Sequence, residues 1–252
     1  MTATFHDLKD ASVFITGGGS GIGAALTAGF VAQGARVAFV DIADASAYAA
    51  ELAEGSFHAP LFIQCDVTDT AALTGAMDQA CAAHGSFKAV VNNAANDQRY
   101  ALADVTPEDW DAMHAVNLKA YFFSCQKAAQ NMAPRGSIVN YASTSYMIGS
   151  AALAVYATAN AGISGLTRSL ARELGPQGIR VNAIAPGWVM TEKQERLWAT
   201  PESKAAFLDS QCLPKHMMPA DLVDPTLFLA SDSAAMMTGQ MMVVDAGVVT
   251  TG

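Results

Sequence analysis

The fold is decided by the stretch Val13-Phe14-Ile15-Thr16-Gly17-Gly18-Gly19-Ser20-Gly21-Ile22-Gly23, a short apolar run that leads directly into a glycine-rich loop. The sequence after Gly23 has helical periodicity, so the loop joins a strand to a helix. Such a junction directs free main-chain N–H groups and the positive end of the helix dipole at a bound phosphate. An ordinary strand-to-helix turn is the alternative interpretation. On the first interpretation, the residues around a dinucleotide pyrophosphate are Gly17, Ser20, Gly21, Ile22 and Gly23.

Outward from this stretch, short apolar runs alternate with longer stretches of helical period, an order typical of βαβ units. Right-handed connections then favour a doubly wound sheet whose ligand crevice lies beyond the carboxyl ends of the strands. We predict an α/β protein, one Rossmann-type domain over residues 1–252 with a seven-stranded parallel sheet and helices on both faces. The predicted strands are 12–16, 36–40, 61–65, 89–91, 137–140, 180–184 and 241–244, and the predicted helices are about 22–33, 45–53, 70–83, 107–132, 152–175 and 220–230.

Two further segments differ in how clearly they are signalled. The fourth helix begins at Thr106-Pro107-Glu108-Asp109, which supplies a hydroxyl N-cap, a proline in the first turn and acids beside it. By contrast, no element is recognisable from Pro186 to Pro219, a length typical of a functional lid or a disordered segment. Because Trp188 and Trp198 are unusual in disordered linkers, we predict a substrate lid at about residues 188–218.

The composition limits the partners and the compartment. With 14 basic and 23 acidic residues the net charge is −9, which repels nucleic acid and anionic membranes. The four cysteines have neither disulfide nor metal spacing, and the histidines and acids show no metal-ligand pattern. The sequence shows no signal peptide and no apolar span long enough for a membrane. We therefore expect a cytoplasmic protein without a metal.

Acidic side chains follow the second strand, where a dinucleotide would place its adenosine. Asp41 is positioned to accept hydrogen bonds from the ribose hydroxyls, with Ile42 beside it. A 2′-phosphate would meet Asp41 and Asp44 without a nearby arginine, so NAD is predicted rather than NADP. At the next two strand ends lie Asp66-Val67 and Asn92-Asn93-Ala94-Ala95, which by themselves are common turn residues.

Taken together with Asn117, Ser143, Tyr156 and Pro186-Gly187, these motifs resemble the short-chain dehydrogenase/reductase family over essentially the whole chain. The resemblance implies that Tyr156 exchanges a proton with the substrate oxygen, that Ser143 orients this oxygen, and that Asn117 holds a relay water. It also implies a tetramer. The further cofactor contacts that it implies are Asp66, Val67, Asn93, Ala94, Ala95, Tyr156, Asn160, Pro186, Gly187, Val189 and Thr191.

One position departs from the family pattern. The family has a lysine four residues after the tyrosine, which binds the nicotinamide ribose and lowers the tyrosine pKa, whereas this chain has Asn160. Because positions i and i+4 share a helix face, Asn160 should lie beside Tyr156 and can bond a ribose hydroxyl, but it carries no charge. Natural divergence and a deliberate inactivating substitution both explain this residue. We expect impaired catalysis at neutral pH.

Within the family, the chain is most similar to bacterial aldose 1-dehydrogenases, which oxidise the anomeric carbon of a pentose or hexose to a lactone. This resemblance rests on the segments 96–99, 187–194, 211–213 and 227–232. A sugar requires hydroxyl partners and a flat apolar face. The predicted substrate residues are Asn96, Arg99, Ser145, Tyr146, Trp188 and Gln194, although the loop residues and Trp188 have purely structural roles as an alternative.

Three functions remain open from the sequence. An NAD-dependent aldose dehydrogenase is the first, and a dehydrogenase of another secondary alcohol, diol or steroid-like ketone is the second. The third is a non-catalytic NAD-binding protein, which the missing lysine favours and the retained Ser143, Tyr156 and Asn117 disfavour. We also expect a homotetramer, because the two long Ala-rich helices at about 107–132 and 152–175 permit close packing between subunits.

Overall fold

The computed structural model describes residues 3–250, and seven strands within this range form one parallel sheet. The predicted domain also takes in residues 1–2 and 251–252, which lie outside the described residues. The strand order is β3-β2-β1-β4-β5-β6-β7, so the chain winds outward in both directions from β1 and the predicted doubly wound fold is confirmed. The strands are β1 Ser12–Thr16, β2 Arg36–Asp41, β3 Leu61–Gln64, β4 Phe87–Asn92, β5 Met132–Tyr141, β6 Arg180–Pro186 and β7 Met241–Val244.

The middles of the central strands β1, β2 and β4 are apolar because both faces of the sheet are buried there. Val13 and Ile15 of β1 pack into one core, and Phe14 between them packs into the other. The same alternation gives Val37 and Phe39 on one face of β2. Each face is covered by helices, α1 and α10 on the first, and α3, α5 and α7 on the second. The helices are α1 Gly21–Ala32, α2 Ser46–Ala53, α3 Thr70–His84, α4 Pro107–His114, α5 Ala120–Asn131, α6 Ser145–Ile148, α7 Ala154–Leu174, α8 Glu192–Leu197, α9 Pro201–Asp209 and α10 Val223–Ala230.

The predicted helix at 107–132 is wrong as a single element. It begins as predicted, with Thr106 and Asp109 in a capping box and Pro107 in the first turn. A π-helical turn at Ala115–Lys119 then separates α4 from α5. Met132 belongs to β5, where it pairs with Phe87. Helix π-turns occur frequently at functional sites, and this one carries Asn117.

The sequence analysis recognised no helix or strand from Pro186 to Pro219. The structure shows two helices in this segment, α8 and α9. Thr191 caps α8 by accepting a hydrogen bond from the Gln194 N–H. Thr200 caps α9 in the same way, with Pro201 in the first turn. A single bridge between Val189 and Met217 closes the segment at its base. The predicted lid region is therefore two short helices held on a common base. No helix among residues 3–250 is long and apolar enough to span a bilayer.

We predict that Arg180→Met destabilises the fold. The buried guanidinium of Arg180 donates to the carbonyl oxygens of Leu229 and Ser231 at 2.8 and 2.9 Å, at the end of α10. Removing this donor should lower the free energy of unfolding, measured with a denaturant, by roughly 2–4 kcal/mol. Arg135→Met is the control, because the Arg135 side chain is 70% exposed. Equal losses in the two variants would contradict this account of the α10 terminus.

Candidate active site

A cleft of about 1,220 Å³ lies at the carboxyl ends of the strands, between the glycine loop and the α8–α9 lid. Every residue predicted to bind the cofactor or act in catalysis lines it, as do four of the six predicted substrate residues. Parallel strands end at one edge of the sheet, which explains why motifs far apart in sequence meet there. The cofactor and catalytic residues on its walls are Gly17, Ser20, Gly21, Ile22, Gly23, Asp41, Ile42, Asp66, Val67, Asn93, Ala94, Ala95, Asn117, Ser143, Tyr156, Asn160, Pro186, Gly187, Val189 and Thr191.

The glycine loop is shaped by close main-chain approach. A Cβ atom on Gly23 would lie 1.8 Å from the Gly17 carbonyl oxygen, so no other residue fits this position without moving the main chain. Gly17 itself has φ +65°, a conformation that glycine adopts without strain. The loop thereby places the first turn of α1, with its unpaired N–H groups, at the floor of the cleft.

Hydrogen bonds between Thr16, at the end of β1, and Asn93, just after β4, fix the glycine loop to the neighbouring strand. The Asn93 side-chain amide donates to the carbonyl oxygens of Thr16 and Gly17, both at 3.1 Å. The Thr16 hydroxyl accepts hydrogen bonds from the N–H groups of Asn93 and Ala94. Asn93 therefore acts on the cofactor site through the loop. Thr16 is a site residue that the sequence analysis did not assign, although it stands at the strand-to-glycine junction.

Asp41 and Asp66 lie beside the glycine loop, at the end of the cleft where the adenosine is expected. Both carboxylate oxygens of Asp41 accept main-chain N–H groups, from Gly19 at 3.0 Å and from Ala43 at 3.1 Å. One oxygen of Asp66 accepts from both the N–H and the hydroxyl of Thr68. These bonds fix two negative charges at the wall where the sequence predicts the adenosine.

Asn117 is clamped to the loop after β4 by a pair of hydrogen bonds. Its side-chain oxygen accepts from the Asn96 N–H at 2.8 Å, and its amide donates to the Asn96 carbonyl oxygen at 2.9 Å. The π-helical turn places this buried side chain in the cleft wall. Asn96 therefore acts through its main chain, while its side-chain oxygen accepts from the Gln98 N–H.

Asn160 lies one helical turn below Tyr156 on α7, as predicted from the i, i+4 spacing. Its amide donates to the main-chain carbonyl oxygen of Tyr156 at 2.8 Å, and the residue is 2% exposed. An amide in this position offers hydrogen-bonding atoms to the cleft but neither a charge nor a titratable proton.

The surroundings of Tyr156 keep its phenol protonated. Burial raises the pKa of Tyr156 to about 12, and the negative charge of Asp97 adds to this effect, whereas the polar groups of Asn160 and Ser143 act against it. At neutral pH a phenol with such a pKa is ionised in roughly one molecule in a hundred thousand. Without a cofactor, the site therefore holds a proton donor rather than a base.

The predicted substrate residues fall into two groups. Arg99, Ser145, Trp188 and Gln194 line the cleft, but the Asn96 and Tyr146 side chains are not part of its lining. Tyr146 follows Ser145 in α6, and consecutive helical residues point about 100° apart, so only Ser145 faces the cleft. The sequence analysis assigned no role to four further residues that line the substrate end, which are Asp97, Lys193, Trp198 and Phe207. The sequence indicated only that Asp97 lies in the loop after β4 and that the other three lie in the lid segment.

These residues fit a dinucleotide at one end and a small polar molecule at the other. The glycines let the loop pack main chain against its neighbours, since a Cβ on Gly17 would meet Ala94 and one on Gly23 would meet the Gly17 carbonyl oxygen, and this close packing is what a pyrophosphate-binding turn requires. Within residues 3–250, no group of three or more His, Cys, Asp or Glu side chains is arranged to hold a metal ion. The fold and the cleft thus define a dinucleotide-dependent oxidoreductase with a Ser-Tyr site.

Comparison with known proteins agrees with this class. The family model described as enoyl-(acyl carrier protein) reductase matches residues 17–249. The chain is 51% identical over 251 residues to a probable galactose dehydrogenase of Rhizobium meliloti, covering 98% of each protein. It is 46% identical over 250 residues to the D-xylose 1-dehydrogenase of Caulobacter vibrioides, again covering 98% of each. A short-chain dehydrogenase from Burkholderia cenocepacia, solved in complex with NADP, superposes with a TM-score of 0.88 at 30% identity over 96% of this chain and 98% of that one.

The chain belongs to the short-chain dehydrogenase/reductase family. It is an oxidoreductase whose relatives include sugar dehydrogenases. The family and fold expected from the sequence are thereby confirmed.

We predict that Gly23→Ala abolishes dinucleotide binding, because its methyl group would collide with the Gly17 carbonyl oxygen and displace the loop. Isothermal titration should show the affinity for the dinucleotide reduced by at least about a hundredfold, the loss of several hydrogen bonds to phosphate. Gly75→Ala in α3 is the control, since a Cβ there has nothing within 4 Å. Unchanged affinity in Gly23→Ala would contradict the role assigned to the glycine loop.

Proposed function

We propose that this protein is an NAD-dependent aldose 1-dehydrogenase, which oxidises the anomeric carbon of a pentose or hexose to a lactone, with activity impaired by Asn160. The observation that carries the proposal is a Ser143–Tyr156 site opening onto a polar and aromatic cleft, in a chain whose relatives include a probable galactose dehydrogenase and a D-xylose 1-dehydrogenase. A lactone product needs the same hydride and proton removal as any secondary alcohol oxidation.

Three polar atoms at the substrate end of the cleft support a hydroxyl-rich ligand. Arg99 Nε, Ser145 Oγ and Trp198 Nε1 are buried, and none has a hydrogen-bond partner among the described residues. All three residues line the cleft. A buried polar atom without a partner costs about 1–3 kcal/mol, which a ligand hydroxyl in a rearranged, closed site would offset. A steroid-like ketone offers fewer such groups.

In the proposed reaction, the anomeric carbon loses a hydride, for which an oxidised nicotinamide held at the glycine loop would supply the acceptor. Tyr156 takes the proton of the anomeric hydroxyl, and Ser143 holds the oxygen by a hydrogen bond. Asn117, fixed by both main-chain groups of Asn96, holds a water that carries the proton away. Asn160 cannot take part in this transfer, since a carboxamide neither gains nor loses a proton near neutrality.

We predict that the Asn160→Lys substitution moves the pH profile of sugar oxidation toward neutrality. With Asn160, Tyr156 has a pKa of about 12, so the initial rate of NADH formation should rise about tenfold per pH unit from neutral into alkaline buffer. An ammonium beside the phenol favours its ionised form and lowers this pKa. The variant should reach its plateau at lower pH with higher activity near neutrality.

The measurement is a screen of common aldoses with NAD, followed by pH profiles on both chains. Tyr156→Phe in each background is the control for non-enzymatic oxidation. Identical or flat profiles in the two chains would contradict the role assigned to Asn160. Absence of NADH from Asn160→Lys with every aldose would end the sugar dehydrogenase proposal. Tight NAD binding without turnover at any pH, even in Asn160→Lys, would select the non-catalytic alternative that Asn160 favours.

The preference for NAD over NADP is the next part of the proposal, and Asp41 supports it. Its carboxylate is held at the adenosine end by two main-chain N–H groups, so a 2′-phosphate would face a fixed negative charge. The Burkholderia cenocepacia relative was solved with NADP. Its cofactor shows that the family also contains NADP-binding members.

We predict that Asp41→Asn changes the ratio of the NAD and NADP dissociation constants by roughly tenfold in favour of NADP, since a neutral amide no longer repels the 2′-phosphate. Asp44→Asn, at an exposed position nearby, should change the ratio far less. Titration of each variant with both dinucleotides measures this. Tighter binding of NADP than NAD by the unmodified chain would overturn the NAD assignment.

A homotetramer and a cytoplasmic location complete the proposal. A shallow apolar depression on α4, α5, α7 and the π-helical turn supports association, because Phe122 is 45% exposed there beside Leu118 and Leu166. The free state of all four cysteines supports a reducing compartment.

A further inference from the structure

The loop after β4 and the start of the lid are joined across the mouth of the cleft by Asp97. One carboxylate oxygen of Asp97 accepts from Lys193 Nζ at 2.5 Å, and the other accepts from the side-chain amide of Gln194. The Asp97 side chain is 22% exposed, so this pair is shielded more than a surface ion pair. Lys193 and Gln194 both lie in the first turn of α8.

The hydrogen-bond chain continues from Gln194 to Trp188. The Gln194 side-chain oxygen accepts from Trp188 Nε1 at 2.8 Å. Because its amide nitrogen donates to Asp97 and its oxygen accepts from an indole N–H, the orientation of this amide is fixed by its two partners. Both ends of Gln194 are thus engaged within the protein. Its place in the cleft therefore serves to connect Asp97 with Trp188.

Trp188 is held from a second side by the lid. Its ring meets Phe207 of α9 edge to face, with centroids 5.4 Å apart and an interplanar angle of 78°. Arg99, two residues after Asp97, lies over the Trp198 ring at 4.3 Å and makes a second contact from the same loop to the lid. The Trp188 indole, which lines the cleft, is therefore fixed in position by its hydrogen bond and its ring contact together.

We propose that Asp97 is a positioning residue for substrate specificity: through Gln194 it holds the Trp188 indole as the apolar wall against which the substrate's carbon face packs. The inference rests on the proposed function for the identity of that substrate. Asp97 does not touch the reacting carbon in this scheme. It determines how well the cleft fits a ring with one apolar face, and hence substrate affinity more than turnover.

The charge state of Asp97 is suited to this role. Burial acts to raise the pKa of the Asp97 carboxyl, but the hydrogen bond and charge of Lys193 and the amide of Gln194 outweigh it, so this pKa lies below its ordinary value. Because this pKa is depressed, the ionised Asp97 stabilises the folded state at every pH above its unfolded-state pKa. This stabilisation is lost only as the pH falls through the folded-state pKa. Asp97 is thus ionised and able to accept both hydrogen bonds at neutral pH.

The test is a double-mutant cycle between Asp97 and Trp188 in the Asn160→Lys chain. Asp97→Ala should raise the KM for the sugar about tenfold or more, with the kcat on each variant's own high-pH plateau and the dissociation constant for NAD changed less than about threefold. Trp188→Leu should raise the same KM, and the double variant should show little further loss. Asp97→Asn, which keeps one acceptor, should fall between Asp97→Ala and the parent. Asp104→Ala is the matched control, an exposed acid of the same connection.

Additive losses in the double variant, or equal effects of Asp97→Ala and Asp104→Ala, would overturn the proposal. Hydrogen–deuterium exchange keeps the test independent of the sugar assignment. In the chain with Asn160, Asp97→Ala should speed exchange at the amides of residues 192–197 while leaving those of β4 unchanged. If no aldose is oxidised but this exchange increases, the proposed function fails and the positioning of the lid by Asp97 stands. Unchanged exchange in the lid would refute the role of Asp97.

Discussion

The structure depends on one close approach, in which the first turn of α1 meets the end of β1 with no side chain between them. A Cβ on Gly23 would lie 1.8 Å from the Gly17 carbonyl oxygen, so the main chains of strand, loop and helix form one continuous surface. Asn93 and Thr16 fasten this surface to β4. The sheet then determines which residues lie on each side of this phosphate-binding turn. The acid Asp41 lies on the side of β2, and the Ser143–Tyr156 pair lies on the side of β5 and α7.

The positions of the catalytic side chains and the pKa of Tyr156 are separate properties of this site. Tyr156, Ser143 and Asn117 all line the cleft, and in the proposed reaction they position the substrate oxygen and the relay water. Burial and the Asp97 charge nevertheless raise the pKa of the Tyr156 phenol to about 12, and Asn160 supplies no opposing charge. In the function we propose, the chain therefore binds the sugar and the dinucleotide but removes the hydroxyl proton poorly. Asp97 has two roles in this account: its charge raises the Tyr156 pKa, and its hydrogen bonds connect the loop after β4 to the lid.

The sequence predicted most of the sheet and most of the cleft lining. It did not predict the lid helices or the contacts between the loop after β4 and the lid. The strands were predictable because sheets buried on both faces require runs such as Val13-Phe14-Ile15. The roles of Asn117, Ser143 and Tyr156 came from the family resemblance. The lid helices were missed although Thr200-Pro201-Glu202 carries the same start signals as Thr106-Pro107-Glu108. These helices are too short for apolar periodicity to reveal, and tertiary contacts stabilise them. Contacts such as Asp97–Lys193, 96 residues apart, leave no local pattern at all.

The central claim is that burial and the Asp97 charge keep Tyr156 a neutral phenol in this chain, and that the Asn160 amide supplies no positive charge to oppose them. The most direct measurement is a carbon-13 NMR titration of tyrosine ring carbons, with Tyr156→Phe assigning the resonance and Asn160→Lys as the comparison. The account predicts that the Tyr156 resonance of the unliganded protein stays in its protonated position well into alkaline pH, consistent with a pKa of about 12, and titrates at lower pH in Asn160→Lys. A Tyr156 pKa near neutrality in the chain with Asn160 would contradict it.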